Sequence, residues 1–221
     1  MRVIAIDGPA GSGKSTVAKA VAARLGLAYL DTGAMYRAVA FAALRRGIDP
    51  EDAETVARLA QQVDIDVADT VTVDGVDATI EIRGPEVTRA VTSVASNPGV
   101  RKELQRRQRE WAEAHEGGVI EGRDIGSVVF PDADLKVYLT ASDEERASRR
   151  SREVLDMEYD AVAADIARRD YADSNRTTAP LTVPPGAVMV DTTGLSVEEV
   201  VEKVLALLDE PGTATESTRT S

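Results

Sequence analysis

The residues with the clearest chemical signature form a glycine-rich stretch near the start of the chain. Residues 8–15 read GPAGSGKS, which matches the spacing G-x-x-x-x-G-K-[ST]. Glycines let backbone N–H groups turn inward around an anion, because a side chain would block both the turn and the approach. Lys14 adds a positive charge for the outer phosphates, and the Ser15 hydroxyl can coordinate Mg²⁺. The pattern predicts a loop that holds nucleotide phosphates together with Mg²⁺.

The residues on either side of this loop favour the same interpretation. The apolar run Val3–Ile6 predicts a buried strand, and Val17–Leu25 predicts a helix that ends at Gly26. Such a helix directs the positive end of its dipole at the loop, where phosphates would bind. The alternative is a glycine-rich turn with an incidental lysine, and the order strand, loop, helix argues against it.

Two further predicted strands end in charged residues. Leu27–Leu30 runs into Asp31, and a second strand ends at Glu121, followed by Arg123 and Asp124 between two glycines. Ligands gather at the carboxyl ends of parallel strands, and flanking glycines permit their close approach. A plain turn with a local ion pair is the alternative interpretation of the Arg-Asp pair.

Arginines that could bind phosphate lie on several predicted helices, including the arginine-dense helix Val100–Trp111. Arg37 lies early in the apolar helix Ala34–Leu44, where it either reaches the surface along its aliphatic stem or binds a phosphate. The residues alone leave these two roles balanced. Arg146 and Arg150 share a face of the predicted helix that Ser142 opens. Arg169, Asp173 and Arg176 recur at helical spacing further along the chain.

The bulk composition limits the classes of function. The 221 residues include no cysteine and carry a formal net charge of -12. This charge argues against binding to a nucleic acid polymer or an anionic membrane, and the lack of cysteine excludes disulfides and thiolate metal sites. No apolar run is long enough to cross a bilayer, and the first strand begins too soon after Met1 for a signal peptide. We therefore expect a cytoplasmic protein with one α/β core.

The middle of the chain predicts a small antiparallel insertion. Apolar and polar residues alternate over Val63–Val67, Val71–Val73 and Ala78–Ile82, and the Asp74-Gly75 pair between them is a strong hairpin signal. These strands are too short to be stable alone, so they predict an excursion from a larger core.

The remaining pattern predicts an α/β fold in which helices wrap a parallel sheet. One of these helices is expected to begin at Asp49-Pro50, with aspartate as the cap and proline at the first helical position. The chain lacks the guanine-reading sequence N-K-x-D, which argues against a GTPase. Phosphoryl transfer to a small molecule remains, since that reaction needs many cations around the phosphates.

Over about residues 2–208 the chain resembles the bacterial cytidylate kinases of the nucleoside monophosphate kinase superfamily. The matching segments are IAIDGPAGSGKST, YLDTGAMYRA, VTSVASNPGVR, EGRDIGSVVFPDA and RRDYADSNRTTAPL. The resemblance implies a P-loop nucleoside monophosphate kinase fold that transfers a phosphoryl group from ATP to CMP or dCMP with Mg²⁺. It also implies the following division of a single kinase domain at residues 1–210: a core (about 1–36, 98–145 and 186–208), an inserted β-rich monophosphate-binding domain (about 37–97), and a mobile lid (about 146–180). The small, polar residues 211–221 beyond it predict a disordered tail.

The resemblance assigns roles to individual residues. ATP would be held by Gly8, Pro9, Ala10, Gly11, Ser12, Gly13, Lys14, Ser15 and Thr16, with Arg146 from the lid. The transferred group would be stabilised by Lys14, Arg123, Arg150 and Arg176. The acceptor phosphate would be held by Thr32, Arg37, Arg123 and Arg176, the cytosine by Thr92, Arg101 and Asp124, and the ribose by Arg169 and Asp173. Mg²⁺ would be bound by Ser15, with Glu121 behind it.

The chemistry of cytosine suits two of these residues. A carboxylate such as Asp124 accepts from the N4 amino group, and an arginine such as Arg101 donates to N3 or O2. Uracil would instead place its O4 acceptor against the carboxylate. The sequence departs from the family pattern in small ways only: threonine replaces the common serine at Thr32 and Thr92, Glu121 stands where aspartate is frequent, and Ala172 stands where some relatives carry a basic residue.

Two other functions remain open at this point. The chain could be a P-loop kinase for another small acceptor, such as UMP or a hydroxylated metabolite, or a catalytically silent nucleotide-binding module. In each case we expect a monomer.

Overall fold

The computed structural model describes residues 1–153 and 158–209, in which five parallel strands form the main sheet in the order β2-β6-β1-β7-β8. These strands are β1 (Arg2–Asp7), β2 (Tyr29–Asp31), β6 (Gly117–Gly122), β7 (Leu135–Thr140) and β8 (Val188–Asp191). A small antiparallel sheet contains β3 (Ile65–Val67), β4 (Val71–Val73) and β5 (Val76–Asp77). The helices are α1 (Lys14–Leu25), α2 (Thr32–Arg45), α3 (Ala53–Gln62), α4 (Pro85–Ser96), α5 (Pro98–Ala114), α6 (Asp143–Glu153), α7 (Tyr159–Asn175) and α8 (Val197–Asp209). The predicted α/β fold with a helix-wrapped parallel sheet is confirmed.

The register of the sheet places three charged strand ends side by side. Asp7 at the end of β1 lies opposite Gly122 of β6, and Asp31 at the end of β2 lies opposite Glu121. Because the strands are parallel, the segments that follow them leave from one edge of the sheet, which is where ligands bind in open α/β folds.

Alternate residues of β1 pack into different apolar layers. Ile4 and Ile6 lie in a buried cluster with residues of α1 and α8, whereas Val3 and Ala5 lie in a cluster with α2 and α5. Helices therefore cover both faces of the sheet, which explains why its strands read as nearly continuous apolar runs.

The inserted sheet confirms one turn prediction and corrects one strand. Asp74 and Gly75 have φ values of 50° and 73°, the positive values that a tight hairpin turn requires. The strand predicted at Ala78–Ile82 is wrong, because β5 closes the sheet and Glu81–Arg83 forms a 3₁₀ turn. Ala78 and Ile82 are both fully buried, and the Ile82 N–H donates to the Ala78 carbonyl at 2.9 Å. This four-residue spacing of buried side chains belongs to a helical turn.

The helix predicted to begin at Asp49-Pro50 begins at Ala53 instead. The Asp52 carboxylate accepts from the Thr55 N–H at 3.1 Å and caps α3, whereas the Asp49 carbonyl accepts from the Asp52 N–H in a preceding turn. Either aspartate suits an N-cap, so the local sequence could not distinguish them.

Helices α6 and α7 pack over the glycine-rich loop through a small apolar cluster of Ala10, Ala147, Val162 and Ile166. The predicted cap of α6 is confirmed, since the Ser142 hydroxyl accepts from the Glu145 N–H at 3.2 Å. The tail predicted at 211–221 lies outside the described residues. Within the two described ranges, no helix combines the length and apolar character needed to cross a membrane.

The glycines provide a test of the fold. Gly117 has a φ of 122°, and an added Cβ would lie 2.0 Å from the Arg2 carbonyl oxygen. Gly26 has a φ of 65° but open space around the added atom. We expect Gly26→Ala to lower the free energy of unfolding by about 1–2 kcal/mol through strain alone, and Gly117→Ala to lower it by more than about 3 kcal/mol. Urea denaturation of both variants measures the difference, and equal losses would contradict the strand packing described here.

Candidate active site

A cavity of about 290 Å³ opens at the carboxyl edge of the main sheet. Most of the residues predicted to bind substrates line it together: Ala10, Gly11, Gly13, Lys14, Ser15, Thr16, Thr32, Arg37, Thr92, Arg101, Glu121, Arg123, Asp124, Arg150, Arg169, Asp173 and Arg176. Of the described residues with a predicted binding role, Gly8, Pro9, Ser12 and Arg146 lie outside its wall. The predicted ATP and acceptor residues thus share one open cavity.

The glycine-rich loop is held in a shape that other residues would not permit. Gly8, Gly11 and Gly13 all have positive φ, and a Cβ on Gly8 would lie 2.1 Å from the Leu139 carbonyl oxygen. Lys14 begins α1, so the loop delivers its backbone N–H groups and the positive end of the helix to the cavity.

The ammonium group of Lys14 lies inside this loop. Its Nζ donates to the Pro9 carbonyl at 2.6 Å, and the side chain is almost completely buried. Burial lowers the pKa of Lys14 to about 7, and the neighbouring Arg123 cation contributes to the shift, whereas the Glu121 carboxylate opposes it. A phosphate anion in the cavity would reverse this balance.

At the other end of the cavity, Arg101 and Asp124 form a buried ion pair. Arg101 Nη2 donates to Asp124 Oδ2 at 2.5 Å, and the two side chains are 1% and 6% exposed. The Arg101 guanidinium also lies over the Tyr36 ring, 5.4 Å from its centre. Among the described residues, no acceptor meets the buried Arg101 Nε.

Arg123 and Arg176 are held by the same carboxylate. Arg123 Nε donates to Asp173 Oδ2 at 2.9 Å, and Arg176 Nη1 lies 3.5 Å from Asp173 Oδ1. Burial lowers the pKa of Arg176, and the neighbouring Arg101 cation adds to the effect. Its buried Nη2 has no hydrogen-bond partner in the part of the chain that the structure describes. Crowded cations of this kind favour an anionic ligand.

Arg37, Arg169 and Thr32 complete this part of the wall. Burial lowers the pKa of Arg37 to about 10, with Asp31 opposing the shift and Arg169 adding to it, so Arg37 stays charged at neutral pH. The Thr32 hydroxyl donates to the Glu121 carbonyl at 2.6 Å, which joins the start of α2 to the end of β6.

A family model described as cytidylate kinase matches residues 4–210 of this chain. The chain belongs to the cytidylate kinase family. Cytidylate kinase from Mycolicibacterium paratuberculosis is 49% identical to it over 215 residues, which cover 93% of this chain and 94% of the relative. Cytidylate kinase from Caldanaerobacter subterraneus subsp. tengcongensis is 50% identical over 206 residues, or 91% of this chain and 92% of the relative.

The fold also resembles a crystal structure of an uncharacterized protein from Eubacterium ventriosum. The TM-score is 0.55 at 11% sequence identity, and the match covers 96% of this chain and 100% of that chain. This likeness concerns the fold alone.

In this member of the cytidylate kinase family, Arg146 braces the loop from outside the cavity. Arg146 Nη1 donates to the Ala10 carbonyl at 3.0 Å and pairs with Asp170, whose other oxygen accepts from the Ala10 N–H. The contact with ATP expected for Arg146 stays a prediction. Arg150, in contrast, lines the cavity.

Oxygen atoms suited to Mg²⁺ lie beside the loop. The buried Glu121 carboxylate accepts from the Tyr29 hydroxyl at 2.7 Å and also interacts with the Ser15 hydroxyl. Burial raises the pKa of Glu121, and Asp31 adds to this shift. In the described ranges, at this site or elsewhere, no group of three or more aspartate, glutamate, histidine or cysteine side chains is placed to bind a metal ion. One hydroxyl and one carboxylate fit Mg²⁺, because this ion keeps several waters and binds substrate phosphates.

Several residues that stabilise the site were not predicted from the sequence. Asp7 accepts from the backbone N–H groups of Ile125 and Gly126, and burial raises its pKa to about 6. Its position at the end of a predicted apolar strand could have indicated a role at the site. No sequence pattern pointed to Tyr36 or Asp170. The hydrogen bond between the Ala10 N–H and Asp170, for example, joins residues that are 160 positions apart.

The environment of Lys14 predicts a pH-dependent uptake of protons. At pH 8 a lysine with a pKa near 7 is mostly neutral, whereas nucleotide phosphates favour its charged form and raise the pKa. Binding of ATP at pH 8 should therefore take up as much as about one proton, and binding at pH 6 much less. Calorimetric titrations in two buffers of different ionisation enthalpy measure this number.

Lys14→Arg is the matched control for proton uptake, because arginine keeps the charge without titrating in this range. Binding enthalpies that are independent of the buffer at pH 8 in the unsubstituted protein would contradict the buried, partly neutral lysine.

Proposed function

We propose that this chain transfers the terminal phosphoryl group of ATP to CMP, and also to dCMP, to give ADP and the nucleoside diphosphate. As a member of the cytidylate kinase family, it is an ATP-dependent nucleoside monophosphate kinase. The observation that carries the choice of acceptor is the Arg101–Asp124 pair, a charged donor and a charged acceptor in the wall of the cavity that also contains the phosphate-binding loop. These groups complement the cytosine edge.

The donor half of the site would act through the loop and Lys14. The loop N–H groups hold the phosphates of ATP, and Lys14 offsets the charge that builds on the transferred group. Ser15 and Glu121 supply oxygen atoms for Mg²⁺, which neutralises charge on the phosphate oxygens when it is bound. The buried setting of these groups strengthens each electrostatic contact.

The acceptor half would act through its arginines. Arg37, Arg123 and Arg176 face one cavity, and the Asp173 carboxylate fixes the last two relative to each other. An acceptor phosphate bound among them lies in line with the donor, so that most of the catalysis is positioning and charge neutralisation. We assign Arg150 to the transferred group and Arg169 with Asp173 to the ribose.

Base selection would follow from hydrogen-bond direction. The Asp124 carboxylate accepts from the cytosine N4 amino group, and Arg101 donates to N3 or O2. Thr92 lies on the same wall and can play either part. Against uracil the carboxylate would face the O4 acceptor, a mismatch that costs about 1–3 kcal/mol or more. CMP is therefore the favoured acceptor over UMP.

We extend the proposal to the organisation of the chain. Residues about 37–97 would form the monophosphate-binding insertion, and about 146–180 the mobile lid. The small apolar cluster between the loop and helices α6 and α7 supports a lid, because its four buried side chains among the described residues provide little apolar area to hold it closed. A cytoplasmic, monomeric enzyme is part of the same proposal.

The proposal is tested with a panel of acceptors. ADP formation from ATP and Mg²⁺ should depend on added CMP or dCMP, with UMP much weaker, and Lys14→Ala should lower kcat by about a thousandfold or more while the protein stays folded. Lys203→Ala, an exposed substitution on α8, is the matched control and should leave turnover unchanged.

The outcomes separate the three functions considered. Strong turnover with UMP or a hydroxylated metabolite but not CMP would favour another small-molecule kinase, and no turnover with any acceptor would favour a silent binding module. Near-normal turnover of Lys14→Ala would contradict the proposed role of the loop in phosphoryl transfer.

A further inference from the structure

Asp7 joins the donor and acceptor halves of the site. This carboxylate ends β1, directly before the phosphate-binding loop, and is completely buried. Oδ1 accepts from the Ile125 N–H at 2.8 Å and Oδ2 from the Gly126 N–H at 2.7 Å, across 118 and 119 residues of sequence. A buried carboxylate with both oxygens bonded to backbone of another segment has a fixed orientation, and it fixes that segment in return.

The segment that Asp7 holds is a wide helical turn over Ile125–Val129. The Asp124 carbonyl accepts from the Val128 and Val129 N–H groups. The first N–H groups of a helical turn have no partner within the turn and must find one elsewhere. Asp7 supplies that partner for Ile125 and Gly126, and its negative charge lies at the positive end of the turn.

This turn begins at the residue proposed to read the base. Asp124 precedes the two captured N–H groups, and Arg123 precedes Asp124. The pairing of Asp7 with Gly122 in the sheet holds the other side of the same segment. The Arg123-Asp124 segment is therefore fixed at both ends by one residue of β1.

We infer that Asp7 is a positioning residue that sets the place of the Asp124 carboxylate and so the preference for cytosine over uracil. The inference rests on the proposed function. Asp7 itself touches neither base nor phosphate in this account, since its two oxygens are occupied by backbone N–H groups.

Asp7→Asn tests this inference with a minimal change of shape. An asparagine carbonyl can accept from only one of the two N–H groups, and its NH₂ group would oppose the other donor. The turn must then shift, and Asp124 with it. We expect the ratio of kcat/KM for CMP to that for UMP to fall about tenfold or more, while the Kd for ATP in the absence of acceptor changes less than about threefold.

Asp134→Asn is the matched control. Asp134 Oδ2 accepts from the Val3 N–H at 2.7 Å, near the opposite end of β1, so this variant also removes the charge of a carboxylate that is bonded to the β1 backbone. It should leave the CMP to UMP ratio unchanged. Thermal unfolding of both variants reports the accompanying loss of stability.

Gly126→Pro provides a second route if Asp7→Asn fails to fold. It replaces one of the two captured N–H groups with a ring carbon, which does not fit between atoms 2.7 Å apart, so the turn and the Asp7 carboxylate must separate. The CMP to UMP ratio should again fall.

The outcomes distinguish the inference from the proposed function. If the Asp7 and Gly126 variants are active and keep the CMP to UMP ratio of the unsubstituted enzyme, the inference alone is overturned. A Kd for ATP that weakens as much as the CMP preference would also overturn it, because Asp7 would then support the loop in general. An unsubstituted protein that leaves CMP unphosphorylated would overturn the proposed function, and the inference with it.

Discussion

The buried ion pair between Arg101 and Asp124 is the interaction on which the acceptor side of the structure depends. A buried pair adds little net stability, because removing two charges from water costs about as much as their attraction returns. Losing one partner is different, since it leaves an uncompensated buried charge at a cost of about 3–5 kcal/mol. A pair placed in the wall of a ligand cavity is better explained by recognition than by stability. Its neighbours fit that role: Tyr36 covers Arg101, and Arg176 lies 3.6 Å from Asp124.

The main sheet brings the donor and acceptor sites together. Asp7 and Gly122 are direct neighbours across β1 and β6, so the phosphate-binding loop and the Arg123-Asp124 segment begin at one point. Cations that face the same cavity repel one another, and the carboxylates Asp31, Glu121 and Asp173 offset this repulsion while no phosphate is bound. Substrate phosphates can then take over part of that role, which couples binding to the arrangement of the arginines.

The sequence predicted those parts of the fold that depend on the backbone preferences of neighbouring residues. The strand, glycine loop and helix around Lys14 and the Asp74-Gly75 turn follow from backbone preferences within a few residues. The prediction of a strand at Ala78–Ile82 was wrong because, over so short a run, the same apolar residues fit both the alternation of a strand and the four-residue spacing of a helical turn. The resemblance to cytidylate kinases identified most of the cavity wall, whereas the residues that brace it, such as Asp7 and Asp170, depend on partners more than 100 positions away. Such contacts follow from the register of the sheet, which no local pattern encodes.

The measurement that bears most directly on base recognition is the acceptor preference of Asp124→Asn. An amide at this position can donate to the O4 atom of uracil, so the discrimination against UMP should weaken. The account predicts that the ratio of kcat/KM for CMP to that for UMP falls by about tenfold to a few hundredfold relative to the unsubstituted enzyme. If Asp124 only orients Arg123 for the phosphate, both acceptors should slow by the same factor. An unchanged ratio would contradict the assignment of the Arg101–Asp124 pair as the reader of cytosine.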